Sequence, residues 1–135
     1  MTDHLAVTRT AEFDLSPDEL WALVADGSRW GEWMVDRADV AVVPGGRGLV
    51  VDEGVARTVH VRTVAHGRVV FEWRPVDSDP DDTSVVEIEV TPTGGGERSR
   101  LRVVETFATA NAGGGIDWDL RLLAMCCCVA ACCRT

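Results

Sequence analysis

Six short runs rich in β-branched residues follow one another from Asp39 to Ala108, and little more than a turn separates each from the next. They read "DVAVV", "GLVVDEG", "ARTVHVRTVAHG", "RVVFEWRP", "TSVVEIEVTP" and "SRLRVVETFA". The connections "PGG", "HGR", "DSDPDD" and "TGGGE" supply the Gly, Pro and Asp that turns use. Parallel strands need crossovers of a dozen or more residues, so strands this closely spaced must form an antiparallel meander. Ahead of them "LAVTRTAEF" places Leu5, Val7, Ala11 and Phe13 at alternate positions and reads as a seventh, half-buried strand.

Between the first and second strands, "SPDELWALVAD" carries a full set of helix-start signals. Ser16 caps, Pro17 suits the first helical position and Glu19 completes a capping box. Leu20, Leu23 and Val24 form the apolar stripe, with Trp21 beside it as a structural residue, and Gly27 ends the helix. "SRWGEWM" reads as a second short helical turn carrying Trp30 and Trp33. After the flexible joint "NAGGG", "IDWDLRLLAMCCCVAACC" reads as a terminal helix, with Asp117 and Asp119 at the positive end of its dipole.

An antiparallel sheet of this size has one face to bury, and the terminal helix is the only large element available to cover it. The reading is therefore α+β, one domain over residues 1–135. A curved seven-stranded antiparallel sheet wraps around a long C-terminal helix, two short helices join its first and second strands, and a cavity lies between sheet and helix.

A net charge of −9 argues against nucleic acid or an anionic membrane surface as partner. The start "MTDHLAVTRT" lacks the features of a signal peptide, and the apolar run from Leu122 to Cys133 is too short to span a bilayer. The expected setting is the cytoplasm, where thiols stay reduced.

The segments "SPDELWALVAD" with Trp21, "VVPGG" ending at Gly46, "RVVFEWRP" with Trp73 and Pro75, and "SRLRVVETF" with Phe107 together resemble the START-related (SRPBCC) ligand-binding superfamily. That superfamily also holds the major birch-pollen allergen and the polyketide aromatase/cyclases. Within it the likeness is to the bacterial branch named after the activator of the ninety-kilodalton heat-shock-protein ATPase. The resemblance implies a helix-grip fold with an internal pocket for an apolar or aromatic small molecule. The cochaperone role of eukaryotic relatives goes with an additional domain and is not carried over.

Alternation assigns the inward faces. Val69, Phe71 and Trp73 share one, and Leu101, Val103, Glu105 and Phe107 share another. Glu105 stands out, because a buried carboxylate costs several kcal/mol (roughly) unless it is paired. It is a candidate general acid or base, or an anchor for the polar end of a ligand. The alternative is that it sits near the strand end and reaches solvent or an arginine. Trp30 and Trp33 either border the pocket mouth and stack on an aromatic ligand or plug the end of the core. Trp118 belongs either to a lid hinged on "NAGGG" or to the core. The expected ligand-binding set is Trp30, Trp33, Phe71, Trp73, Val103, Glu105 and Trp118.

The histidines give little support for catalysis. His60 shares a strand face with Arg62 and Val64, opposite Val59 and Val61, and so faces solvent; His66 sits in the "AHGR" turn. There is no G-x-G-x-x-G after a strand and no phosphate loop, and no cofactor is expected. "DSDPDD" lacks the ligand spacing of a calcium loop and reads as a solvated turn.

Five cysteines fall within residues 126–133. At ~100° per residue they spread over three sides of a helix, so one helix cannot assemble a tetrahedral zinc site. Cys128 and Cys132 lie about 40° apart and could hold a soft ion such as Cu(I). The alternatives are cysteine as a small apolar residue, or a slipped reading frame that turns leucine codons into cysteine codons. A helix end without charge on any side needs a cover, which points to a homodimer contact there.

Three functions remain. The first is a protein that binds a hydrophobic or aromatic small molecule without turnover. The second is an aromatase/cyclase-like or hydrolytic enzyme acting on polyketide-like compounds through Glu105. The third is a soft-metal binder or redox sensor using the terminal cysteines.

Overall fold

The structure, a computed structural model, describes residues 5–107. The expected terminal helix lies outside the described residues, and with it Trp118, Cys128, Cys132 and the cavity between helix and sheet. The strands are β1 (Leu5–Phe13), β2 (Arg37–Val40), β3 (Arg47–Asp52), β4 (Val55–Ala65), β5 (Arg68–Pro75), β6 (Ser84–Thr93) and β7 (Arg98–Phe107). Helices α1 (Pro17–Ala25) and α2 (Trp30–Trp33) lie between β1 and β2.

All seven strands form one antiparallel sheet in the order β1-β7-β6-β5-β4-β3-β2. Strands β2 to β7 are the meander the turns dictate, and β1 adds to its far edge against β7, with Val7 opposite Glu105 and Phe13 opposite Ser99. The β3–β4 hairpin closes through the two-residue loop Glu53-Gly54, both residues with positive φ (52° and 79°), the dihedral signature of a type I′ turn. The Glu53 amide donates to Asp36 Oδ2 at 2.9 Å, which helps hold a non-glycine residue in that conformation.

Helix α1 begins as its sequence requires. The Glu19 amide donates to Ser16 Oγ and the Ser16 amide to Glu19 Oε1, so both halves of the capping box are made. Its end differs from expectation. The helix stops at Ala25, and the Asp26 side chain caps a following 3₁₀ turn by accepting from the Ser28 amide and hydroxyl. Gly27 is needed for space: a Cβ there would run into the Val40 carbonyl.

The inner face of the sheet packs under α1 and α2. Val59, Val61, Val69, Phe71, Val86, Ile88, Leu101 and Val103 from the sheet meet Leu20, Leu23, Val24, Trp30 and Trp33 from the helices in one apolar core. Each such side chain contributes roughly 1.5–3 kcal/mol by leaving water. One alternation is broken. A β-bulge between Val61 and Thr63 leaves Arg62 unpaired and shifts the register. Val64 therefore packs partly against the core instead of sharing the solvent face of His60 and Arg62.

Candidate functional site

Polar side chains cluster on the inner face at one end of the sheet, whereas at the other end a single buried hydroxyl among the described residues, Ser99, donates to the Leu15 carbonyl. In the cluster the C-terminal end of β3, the start of β4, the end of β5, the start of β6 and the end of β7 come together. They bring Asp52, Arg57, Trp73, Ser84 and Glu105 to the core side, all buried. Alternation puts them there: Arg57 lies in phase with Val59 and Val61, Ser84 with Val86 and Ile88, and Glu105 with Val103 and Leu101.

Glu105 is only 1% exposed, so its carboxylate does not reach solvent. Its Oε2 accepts two hydrogen bonds, from the Trp73 indole N–H and from the Ser84 hydroxyl, each at 2.8 Å. Two donors on one oxygen fix the plane of the carboxylate, and bonds to an ionised group are the stronger kind. The Arg57 guanidinium lies over the Trp73 ring, 5.6 Å from its centroid, within range of a cation–π contact. Burial pulls the Arg57 guanidinium below its usual value, and the carboxylates of Glu105, Asp52 and Glu53 pull it back up. A guanidinium keeps its proton in proteins, so the site holds a permanent cation between carboxylates. In a place this dry each electrostatic interaction is stronger than in water.

Phe71 continues the surface into the apolar region. Its ring meets Trp73 edge-on at 5.3 Å and Trp30 at 4.9 Å between centroids. Val103, two residues before Glu105 on the same face of β7, is fully buried in the same core. Trp30 and Trp33 are buried as well, and their indole N–H groups donate to the carbonyls of Val24 and Leu23 at the end of α1. The structure thus brings Phe71, Trp73, Val103 and Glu105 into one continuous surface, with Trp30 joined to it through Phe71. Trp33 is anchored to α1. Trp21 is partly buried against the core, as its structural reading requires.

Sequence reasoning missed Arg57, Ser84 and Asp52. A signal was present, since Arg57 and Ser84 stand at inward positions of clearly alternating strands. Among the described residues no group of His, Cys, Asp and Glu could hold a metal ion, and the "DSDPDD" segment forms a 3₁₀ turn over Pro80–Asp82. No helix of the described residues is long and apolar enough to cross a membrane.

An α+β chain whose sheet interior ends in a buried polar cluster invites comparison with ligand-enclosing folds. The family described as polyketide cyclase/dehydrase and lipid transport matches residues 4–124. The chain belongs to that family. None of the curated proteins is significantly similar to it in sequence. Among solved structures, an HSP90 activator from Plasmodium falciparum superposes with a TM-score of 0.74 at 16% identity, covering 94% of this chain and 96% of the other. The Aha1 dimer from Colwellia psychrerythraea gives 0.67 at 13% identity, over 90% and 93% of the two chains. CalU16 from Micromonospora echinospora gives 0.59 at 17% identity over 78% of this chain, which spans 62% of the length of CalU16. These likenesses establish a shared fold, and they include the heat-shock-activator branch to which the sequence motifs point.

Proposed function

We propose that this family member encloses an apolar or aromatic small molecule against the inner face of the sheet. The aromatic part rests on Phe71, Trp73 and Val103, and a polar group of the ligand meets the Glu105–Arg57 end. The observation that carries this reading is the Glu105 carboxylate, buried and oriented by Trp73 and Ser84 at the boundary of an aromatic surface. Ligand pockets combine a mostly apolar lining with a few convergent polar groups, and this surface has that composition. Family membership supports the same class of ligand. Native mass spectrometry of freshly purified, reduced protein tests it. The expected spectrum carries an organic mass that is weakened or lost in Glu105→Ala; a bare chain that takes up no aromatic compound would refute the reading. The same spectrum reports assembly, for which we expect a homodimer, and any soft metal held by Cys128 and Cys132. We place the protein in the cytoplasm, where those thiols stay reduced.

A second reading, turnover of a polyketide-like compound by cyclisation, dehydration or hydrolysis, draws on the same carboxylate. A water-excluded Glu beside a fixed cation is a competent proton acceptor or donor for a substrate hydroxyl or enol. Glu105→Gln separates the two: binding retained with turnover abolished supports catalysis, whereas absence of turnover in the wild type leaves binding alone.

A further inference from the structure

An open depression among the described residues lies on the opposite side of the sheet from Glu105. It is a groove of about 430 Å³. Its outward-pointing lining is Arg47 from β3, Thr58 and His60 from β4, Glu72 and Arg74 from β5, and Thr83 just before β6. The register makes these residues neighbours: Arg47 pairs with His60, His60 with Glu72, and Thr58 with Arg74.

The charges here run against those of the molecule. The chain as a whole is strongly acidic, at −9. In the groove Glu72 is the one carboxylate, and it is already engaged, at 2.6 Å by Arg62 and with His60 at 3.9 Å. Among the described residues, the guanidiniums of Arg47 and Arg74 make no ion pair or hydrogen bond with any side chain. Two uncommitted guanidiniums on strands flanking β4, with the hydroxyls of Thr58 and Thr83 between and beside them, offer a planar fork from each side and neutral donors in the middle. That donor set suits a tetrahedral oxyanion with three acceptor oxygens. Directly opposite Thr58 on the same face stands Leu49, 44% exposed, an apolar surface beside the charged one. The groove also exceeds what a bare anion fills and falls within the size range of small-molecule sites.

We propose that the outer groove is a second binding site, distinct from the inner face, which takes a phosphate monoester of a small organic group. Arg47 and Arg74 hold the phosphate with Thr58 and Thr83, and Leu49 contacts the organic part. The ester enters as a ligand and no bond is made or broken.

Amide NMR of the full ¹⁵N-labelled chain, titrated in parallel with phenyl phosphate and inorganic phosphate, tests this. Phenyl phosphate should give saturable shifts centred on Thr58, His60, Arg74 and Thr83. Arg47→Gln and Arg74→Gln should each weaken it about tenfold, the loss of one charge-assisted contact. Leu49→Ser should bring its affinity down towards that of inorganic phosphate. All three side chains are exposed or half-buried, and an unchanged spectrum elsewhere shows that the fold survives each substitution. No saturable shift at millimolar ligand, shifts centred on the Trp73 indole instead, or unchanged binding in the double arginine variant would overturn the proposal. So would equal affinity for inorganic phosphate. The outcome is independent of whether a ligand occupies the inner face.

Discussion

Trp73 and Glu105, thirty-two residues apart in the chain, meet across β6: the indole N–H of one donates to the carboxylate of the other at 2.8 Å, inside the core. Neither strand borders the other, and the intervening strand contributes Ser84 to the same oxygen. The site is a product of sheet order, and it is the place where substitutions should be most costly.

Glu105→Ala removes the shared acceptor of two buried donors and one carboxylate facing Arg57. A buried donor left without its partner costs about 1–3 kcal/mol, and breaking a buried charge pair about 3–5 kcal/mol. Urea unfolding should show a loss of about 3–5 kcal/mol for Glu105→Ala. Glu105→Gln keeps an oxygen for both donors and should lose clearly less. Equal stability of wild type and Glu105→Ala would mean that the carboxylate contributes nothing to the fold.

Trp30→Ala should cost about 3–5 kcal/mol, the range for truncating a buried aromatic. The ring is fully buried against Phe71, and its N–H satisfies the Val24 carbonyl. Trp30→Phe isolates the hydrogen bond and the lost volume and should fall well below that. A thermal-melt series on the two variants and wild type checks the ordering.

At Gly48 the obstacle is space. A Cβ there would run into the Asp39 carbonyl and the Cα of Val40 on the neighbouring β2 backbone, and it would press on the Val40 side chain. Overpacking typically costs about 1–3 kcal/mol, and here the neighbour is backbone, which yields less readily than a side chain. Gly48→Ala should therefore lose at least about 2 kcal/mol of stability in urea. Gly54→Ala meets no atom but sits at φ 79°, and it should cost less, about 1 kcal/mol from the backbone alone.

The capping box should make α1 sensitive to acid. The hydrogen bonds from the Ser16 backbone and hydroxyl hold the Glu19 carboxyl below its ordinary value of 4.5. A depressed folded value means that the contribution is complete above pH 4.5 and disappears as pH falls through the lower, folded value. Ser16→Ala should cost about 1 kcal/mol at neutral pH. The gap between Ser16→Ala and wild type should narrow below pH 4.5, when Glu19 takes up a proton in both. Urea midpoints across that interval decide it. A constant gap would mean that the Glu19 half of the box plays no part.

Much of this architecture could be read from residue order. Turn residues at short spacing force an antiparallel meander, Ser16-Pro17 and Glu19 start a helix, and alternation puts Phe71, Trp73, Val103 and Glu105 on the buried side. These are local properties, determined by backbone sterics and a period of two. Alternation fails at Arg62, where the bulge reverses the phase and brings Val64 inward; an extra residue in one strand leaves no local mark. Gly27 is a second case, since its role depends on Val40, a residue beyond the helix altogether. Pairing partners across the sheet were beyond reach for the same reason. Nothing near Glu105 in the chain names Trp73, Ser84 or Arg57, and only the order β7-β6-β5-β4 sets them side by side. Local sterics choose the elements and their faces. The contacts that turn a buried carboxylate into a site come from strand order, which depends on packing summed over the whole sheet.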